Sequence, residues 1–149
     1  MVMNKETVRK IKFALFSASA GIIETLAMIL FEEIIKLPGH YLCYTIALIL
    51  SVLWNFTFNR KFTFKSAANV PKAMLLVFLF YVPFAPASIW LEHFLADVNG
   101  WNEYIVLAIN MALNLVLEYL WDNNVVYKDS KDTNELAQKE NEAAGSEEE

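Results

Sequence analysis

The sequence predicts an all-α integral membrane protein with four transmembrane helices. Three observations predict this class. The chain of 149 residues is 56% apolar and only 19% charged, whereas soluble domains average about 45–50% apolar and about 25% charged. Its apolar residues are concentrated in four segments, each close to the roughly 20 residues that cross a bilayer. Its Lys and Arg residues are concentrated in every second loop, as expected of a protein with four spans.

The predicted spans divide the chain into a membrane domain and a tail. The domain covers residues 1–127, and its spans cover residues 13–30, 41–58, 73–91 and 104–121. Glu24 interrupts the first apolar segment and three more spans follow it, so this segment is not a cleavable signal peptide. The short links between the spans leave no room for a separate soluble domain.

The basic residues predict that both termini are cytoplasmic. Four of them precede the first span and four lie between the second and third spans, namely Lys5, Arg9, Lys10, Lys12, Arg60, Lys61, Lys65 and Lys72. The link after the first span holds only Lys36, and the link after the third span holds no Lys or Arg. Loops rich in Lys and Arg stay on the cytoplasmic side.

Residues 128–149 are expected to form an acidic, disordered cytoplasmic tail. This segment holds eight acids and three lysines, a net charge of −5, which equals the formal net charge of the whole chain. The membrane domain is therefore neutral overall. The tail is rich in Glu, Lys and Asn, a composition typical of disorder.

Glu24 lies near the middle of the first predicted span. Ionisable groups at membrane depth are costly and are functional candidates by default. Ser17, Gly21 and Glu24 recur at helical spacing and give this helix one small, polar face. Two interpretations remain open: Glu24 takes part in function, or it is a buried acid that is hydrogen-bonded for packing specificity.

Two rows of polar residues with a spacing of four lie on the second and fourth spans. The rows are Ser51, Asn55 and Asn59, and Asn110, Asn114, Glu118 and Asp122. Residues four apart share one helix face, so each row either joins helices by hydrogen bonds or lines a hydrated groove. A shift of 63 residues places Asn55 on Glu118 and Asn59 on Asp122. This correspondence indicates two repeated helical hairpins.

A segment at the predicted cytoplasmic boundary combines amides, bases and aromatic residues. Arg60 can bind a phosphate through two hydrogen bonds, and Lys61 and Lys65 add positive charge. Asn55 and Asn59 can bond polar groups deeper in the membrane. The segment therefore predicts an anion site at the level of the lipid head groups. The alternative is that these bases only mark the cytoplasmic side.

Catalytic and metal-binding patterns are missing from the sequence. The single cysteine, Cys43, allows neither an internal disulfide nor a thiolate cluster. His40 and His93 form no ligand cluster, and no nucleophile–base pair or glycine-rich phosphate loop can be recognised. We therefore expect no enzyme activity, no metal, no cofactor and no nucleic-acid partner.

These motifs together resemble the GtrA family of small four-span membrane proteins. The resemblance covers roughly residues 9–128 and rests on four features of the sequence. They are the basic start Arg9-Lys10-Ile11-Lys12-Phe13, the small residues of the first span, the string Ser51-x3-Asn55-Phe56-x2-Asn59-Arg60-x-Phe62-x-Phe64, and a weaker copy of that string from Asn114 to Tyr127.

The resemblance implies a transport function. Such a protein would flip a polyprenyl-phosphate-linked sugar from the cytoplasmic to the outer leaflet of the bacterial cytoplasmic membrane, for glycosylation of cell-surface polysaccharide. Its expected partners are this lipid-linked sugar, membrane lipids, the polyprenyl-phosphate glycosyltransferase that makes the sugar donor, and further copies of the chain.

Eight residues are expected to bind this substrate. They are Arg60, Lys61, Lys65, Asn55, Asn59, Glu24, Asn114 and Glu118. The bases would bind the phosphate, whereas the amides and Glu118 would bond the sugar as it crosses. Glu24 would exchange a proton or balance Arg60.

Two other functions remain open. The first is a membrane anchor or accessory subunit of a polyprenyl-phosphate glycosyltransferase, in which the polar stripes would tolerate Leu or Ala. The second is a small proton-coupled antiporter of hydrophobic cations that uses Glu24. An antiporter would leave Arg60 and its neighbouring bases without a role.

Overall fold

A computed structural model describes residues 3–146 of the chain, except for the side chains of Tyr41 and Glu103. Within these residues it contains five α-helices and no strand. The helices are α1 (Lys5–Ile29), α2 (His40–Phe58), α3 (Val70–Glu92), α4 (Glu103–Trp121) and α5 (Glu135–Ser146). The last three residues of the predicted tail, 147–149, lie outside the described residues.

The first four helices are long and apolar enough to cross a membrane. With their adjoining turns, the apolar helical segments cover Lys5–Ile34, Leu42–Thr63, Val70–Val98 and Tyr104–Val126. Many of their large apolar side chains are exposed, with exposed fractions of 64% for Leu15, 64% for Phe78 and 65% for Met111. Apolar surface on this scale is suited to contact with lipid or protein. The prediction of an all-α membrane protein with four spans is confirmed.

Asparagine side chains cap the starts of three of these helices. Asn4 Oδ1 accepts from the N–H of Glu6. In the same way, Asn69 Oδ1 accepts from the N–H of Lys72, and Asn102 Oδ1 from the N–H of Tyr104. The N–H groups of the first helical turn have no partner within the helix, and an asparagine oxygen at this position accepts from one of them. These residues therefore fix where α1, α3 and α4 begin.

Each of the four long helices ends in a π-helical turn. The turns are Leu30–Ile34, Asn59–Thr63, His93–Val98 and Asp122–Val126. Shortly after the first three turns, one residue adopts a positive φ: Lys36 (55°), Lys65 (46°) and Gly100 (67°). In each case the N–H of the next residue donates to the carbonyl six residues earlier, at 2.9 Å. This bond satisfies a carbonyl that the end of a helix leaves free.

The chain divides into two compact units, each built on one helical hairpin. The first unit contains α1, α2 and α5, and the second contains α3 and α4. Adding 63 to the bounds of α2 gives the bounds of α4, and the same shift carries the π-helical turn after α2 onto the turn after α4. The last residues of α1 and α3, Ile29 and Glu92, are related by the same shift. The helix boundaries are thus consistent with two repeated hairpins.

Aromatic and small residues pack α1 against α2 in the first unit. Phe13 is 1% exposed, and its ring centroid lies 6.1 Å from that of Phe64. Farther along the hairpin, Ser51 Oγ donates a hydrogen bond of 3.0 Å to the Ala20 carbonyl. A bond from a short side chain to the opposing backbone requires close approach of the two helices, which small residues allow.

In the second unit, long polar side chains of α4 reach backbone carbonyls of α3. Trp121 Nε1 donates to the Leu76 carbonyl at 2.8 Å, and Asn110 Nδ2 donates to the Ser88 carbonyl at 3.4 Å. Both bonds link the two helices of the hairpin, and they use backbone groups that lipid cannot satisfy.

The tail was expected to be disordered, but its described part contains the helix α5. The backbone N–H groups of the three residues before α5 donate to the carbonyls of Phe64 and Lys65, each at 2.9 Å. Asn134 Oδ1 then accepts from the N–H of Ala137 at 3.1 Å and caps α5. Ala137 is only 3% exposed. Composition could not reveal this docking, because the bonds join segments that are far apart in the sequence.

Candidate functional site

A chain of side-chain hydrogen bonds runs along the first hairpin toward the end of α2. Ser17 Oγ donates to Asn55 Oδ1 at 3.3 Å, and Asn59 Nδ2 donates to the same oxygen at 2.7 Å. Thr63 Oγ1 donates to Asn59 Oδ1 at 2.7 Å. We call Ser17, Asn55, Asn59 and Thr63 the first polar ladder.

The first polar ladder is largely enclosed. Asn59 is 2% exposed and Thr63 is 3% exposed, whereas Asn55 is half-buried. The bonds satisfy polar groups that would be costly to leave alone in an apolar setting. Of the two amides in this ladder that are predicted to bind substrate, only Asn55 has exposed surface of any extent.

Two of the predicted bases lie within the last turn of the first polar ladder, between Asn59 and Thr63, and the third follows it, but their surroundings differ. Arg60 is half-buried within the π-helical turn after α2, and Lys61 is exposed. Lys61 Nζ lies 5.3 Å from the ring centroid of Phe62, within range of a cation–π interaction. The side chain of Lys65 is 16% exposed and is paired with the carboxylate of Glu140 on α5.

Glu24 is half-buried on α1 and lies apart from the bases. It follows Ser17 by seven residues, which is about 10 Å along a helix axis at about 1.5 Å per residue. Since Ser17 contacts Asn55 and α1 and α2 run in opposite directions, Glu24 lies toward the link between the helices. Arg60 lies at the other end. The expectation that Glu24 balances Arg60 directly does not fit this geometry.

A second row of polar groups is buried in the second hairpin. Asn114 Nδ2 donates to Glu118 Oε2 at 3.4 Å, and the phenol of Tyr81 on α3 lies beside this carboxyl group. Glu118 and Asp122 are each 4% exposed. We call Asn114, Glu118 and Asp122 the second polar ladder.

The second polar ladder is less satisfied than the first. Among the residues that the structure describes, no hydrogen-bond donor meets Asn110 Oδ1, Asn114 Oδ1 or Asp122 Oδ1, although all three atoms are buried. Buried polar atoms nearly always have a partner in native proteins, and each exception requires an explanation. All three atoms are acceptors, so a ligand that carries hydroxyl or amine donors fits them chemically.

A cavity of about 270 Å³ lies at the base of the first unit, near the start of α1. Its lining includes four bases, Lys5, Arg9, Lys12 and Lys65, and two acids, Asp132 and Glu140. The sequence alone did not indicate the ion pair between Arg9 and Asp132 or the hydrogen bond between Thr63 and Asn59. The spacing of four between Asn59 and Thr63 is the one signal that could have extended the stripe.

Within residues 3–146, no group of three or more His, Cys, Asp or Glu side chains could hold a metal ion. The polar chemistry of the membrane domain therefore lies in its two ladders and in the bases after α2. The family described as GtrA/DPMS, transmembrane domain, matches residues 12–127. The chain belongs to this family.

The GtrA/DPMS match covers both hairpins, except for the first seven residues of α1, and both polar ladders, and it ends before α5 begins. It identifies a multi-pass membrane protein of a family associated with polyprenyl-phosphate sugar handling. The family is a membrane domain family and is not itself catalytic. Comparisons with curated proteins and with solved structures gave no match.

Proposed function

We propose that the protein flips a polyprenyl-phosphate-linked sugar from the cytoplasmic leaflet to the outer leaflet. The buried, unpartnered acceptors of the second hairpin are the observation that carries this proposal. A sugar brings several hydroxyl donors, and it needs acceptors at membrane depth because lipid offers none. Membership of a family associated with polyprenyl-phosphate sugar handling supports the same substrate class.

The phosphate of such a lipid needs a cationic group near the membrane surface. Arg60 and Lys61 lie in the last turn of the first polar ladder, at the end of a helix apolar enough to cross a membrane, where we expect a lipid head group. Arg60 binds the phosphate in this proposal, because a guanidinium can form two parallel hydrogen bonds with it. Lys61 and Lys65 add positive charge.

Polar side chains of both hairpins bind the sugar in this proposal. Asn55, Asn114 and Glu118 bond the sugar hydroxyl groups, and Asn59 joins them when the first polar ladder opens. Glu24 serves proton exchange in this scheme. Glu24 lies toward the link between α1 and α2, away from Arg60, and this position supports proton exchange over direct charge balance.

The proposed setting is the bacterial cytoplasmic membrane, with both termini in the cytoplasm. The bases before α1 and between α2 and α3 support this orientation. A polyprenyl-phosphate glycosyltransferase supplies the substrate, and the product is used to glycosylate cell-surface polysaccharide. Further copies of the chain complete the wall of the path, since four helices enclose little space. The protein itself performs no chemical step.

The test uses proteoliposomes that hold the purified protein and a polyprenyl-phosphate hexose in both leaflets. The rate at which inner-leaflet sugar becomes accessible to an impermeant reagent outside is measured. We expect acceleration over protein-free vesicles that is lost in Arg60→Ala and kept in Lys72→Ala, an exposed base outside the site. Equal rates with and without folded protein would reject the proposal.

A second candidate function is a membrane anchor for the glycosyltransferase. The observation that favours it is the saturation of the first polar ladder, whose hydrogen bonds already join side chains within the hairpin. An anchor predicts that Asn114→Leu leaves surface glycosylation and co-purification of the enzyme unchanged. Transport predicts that this substitution abolishes glycosylation while the enzyme still co-purifies. A proton-coupled cation antiporter has less support, because it gives Arg60 no task.

A further inference from the structure

The cavity near the start of α1 has the chemistry of a phosphate site. Four of its lining residues are bases and two are acids. The side chain of Arg9 is only 10% exposed, and its Nε has no acceptor among the described residues. A buried guanidinium with an unused donor, beside further bases, favours an anion with several oxygen atoms.

Acidic side chains of the tail already occupy part of this cavity. Arg9 Nη2 donates to Asp132 Oδ2 at 2.8 Å, and Lys65 is paired with Glu140. The hydrogen bond from Lys65 holds the pKa of Glu140 below its ordinary value, and the charges of Lys65, Lys12 and Lys5 act in the same direction. The two carboxylates thus meet the same bases that a phosphate would need.

We propose that this cavity binds a phosphate-bearing anion and that Asp132 and Glu140 compete with the anion for it. The acidic tail then acts as a built-in occupant that a ligand must displace. Binding of the anion releases α5 from the first unit. This inference does not depend on sugar transport, since Arg60 does not line the cavity and the tail lies beyond the family match.

The tail segment is well suited to such displacement. Apart from Ala137, most residues of α5 are exposed, so little apolar area holds the helix in place. Besides the three backbone hydrogen bonds of residues 132–134, the segment is anchored by ion pairs that are solvent-accessible on the acidic side, with Asp132 45% and Glu140 64% exposed. Ion pairs of this kind are individually weak, and a multivalent phosphate can replace both.

The test measures binding of inorganic pyrophosphate to the full-length protein in an uncharged detergent by equilibrium dialysis. The double variant Asp132→Asn/Glu140→Gln removes the competing carboxylates, and Asp129→Asn/Glu142→Gln removes two exposed acids outside the cavity. We expect about tenfold tighter binding in the first double variant, because two charge-assisted contacts no longer compete. The second should differ from wild type by less than about twofold, since exposed charges are screened.

Two further variants locate the site. Lys12→Gln removes a cavity base that makes no hydrogen bond or ion pair with the described part of the tail, and pyrophosphate binding should weaken about tenfold through the lost charge. Arg60→Ala should leave pyrophosphate binding unchanged, even where it abolishes sugar transport. Equal affinity in the two double variants, or no effect of Lys12→Gln, would overturn the proposal.

A competition experiment distinguishes a lipid head group from a soluble phosphate compound as the natural ligand. Polyprenyl phosphate in phosphatidylcholine vesicles is added to reconstituted protein with bound pyrophosphate. Displacement of pyrophosphate identifies a lipid head group as a ligand of the cavity. Retention of pyrophosphate at saturating lipid identifies a soluble phosphate compound. Both results keep the phosphate site, whereas the absence of pyrophosphate binding in every variant contradicts it.

Discussion

Asn59 donates a hydrogen bond of 2.7 Å to Asn55 one turn earlier, and it accepts one of 2.7 Å from Thr63 one turn later. These two bonds turn a stripe with a spacing of four into a continuous polar ladder. The turn between Asn59 and Thr63 also carries the bases Arg60 and Lys61. Asn59 therefore connects the packing of the first hairpin with its predicted anion site.

Replacing Asn59 with Ala should destabilise the first hairpin. Side-chain hydrogen bonds in membrane proteins average about 0.6 kcal/mol, so the loss of two bonds should lower the free energy of unfolding by about 1–2 kcal/mol. The measurement is unfolding of the detergent-solubilised protein by a denaturing detergent. Thr57→Ala, on the exposed face of α2, is the control and should change this free energy little. An unchanged stability in Asn59→Ala would show that the ladder is not a structural element.

Replacing Trp121 with Phe should weaken the second hairpin. Trp121 Nε1 is the donor for the Leu76 carbonyl, and its removal should cost about 0.5–1.5 kcal/mol of stability, the usual net value of one hydrogen bond. Trp90 is 63% exposed, so Trp90→Phe should leave the stability unchanged. Thermal unfolding of the two variants in the same detergent makes the comparison. Equal losses in both would argue against a specific role of the Trp121 bond.

Replacing Glu118 with Gln should separate stability from transport. The carboxyl group is 4% exposed, and its side-chain partners are Asn114 and Tyr81. A neutral amide of the same shape avoids the cost of a buried ionisable group, so the unfolding temperature should stay the same or rise. Transport of the lipid-linked sugar should fall at least about fivefold, because an amide nitrogen replaces one acceptor oxygen. A drop in both quantities would indicate that Glu118 acts through folding.

Docking of α5 should depend on pH. The pKa of Glu140 lies below its ordinary value of 4.5 because Lys65 donates a hydrogen bond to the carboxylate. A carboxyl group whose pKa is lowered by docking stabilises the docked state at pH values above its ordinary pKa. This stabilisation is lost as the pH falls through the pKa of the docked state. Methyl NMR of Ala137, which is buried when α5 is docked, should report release of α5 in acid. The acid transition should be weaker in Glu140→Gln and unchanged in Glu142→Gln; the opposite order would contradict this assignment.

The four spans could be predicted because their signals are local. Apolar segments of about 20 residues define membrane helices, and the 63-residue shift seen between Asn55 and Glu118 reappears in the bounds of α2 and α4. The docking of the tail could not be predicted in the same way. Arg9 and Asp132 are 123 residues apart, and nothing in the composition of either segment indicates that they meet.

The polar residues of the candidate site could be predicted from the sequence, but their hydrogen-bond partners could not. A polar stripe indicates that Asn55 and Asn59 need partners, yet it does not say whether these are protein groups or ligands. The structure gives Asn59 protein partners on both sides. It leaves buried acceptors of Asn114 and Asp122 without donors in the described residues. This difference between two repeats depends on tertiary packing, which one sequence does not report.

The most direct test of the central claim is the rate of lipid-linked sugar translocation in proteoliposomes with wild-type protein, Arg60→Ala and Lys72→Ala. The account predicts accelerated translocation for the wild type and for Lys72→Ala, and a rate equal to that of protein-free vesicles for Arg60→Ala at equal protein content. A wild-type rate that does not exceed the protein-free rate, or an Arg60→Ala rate equal to the wild type, would contradict it.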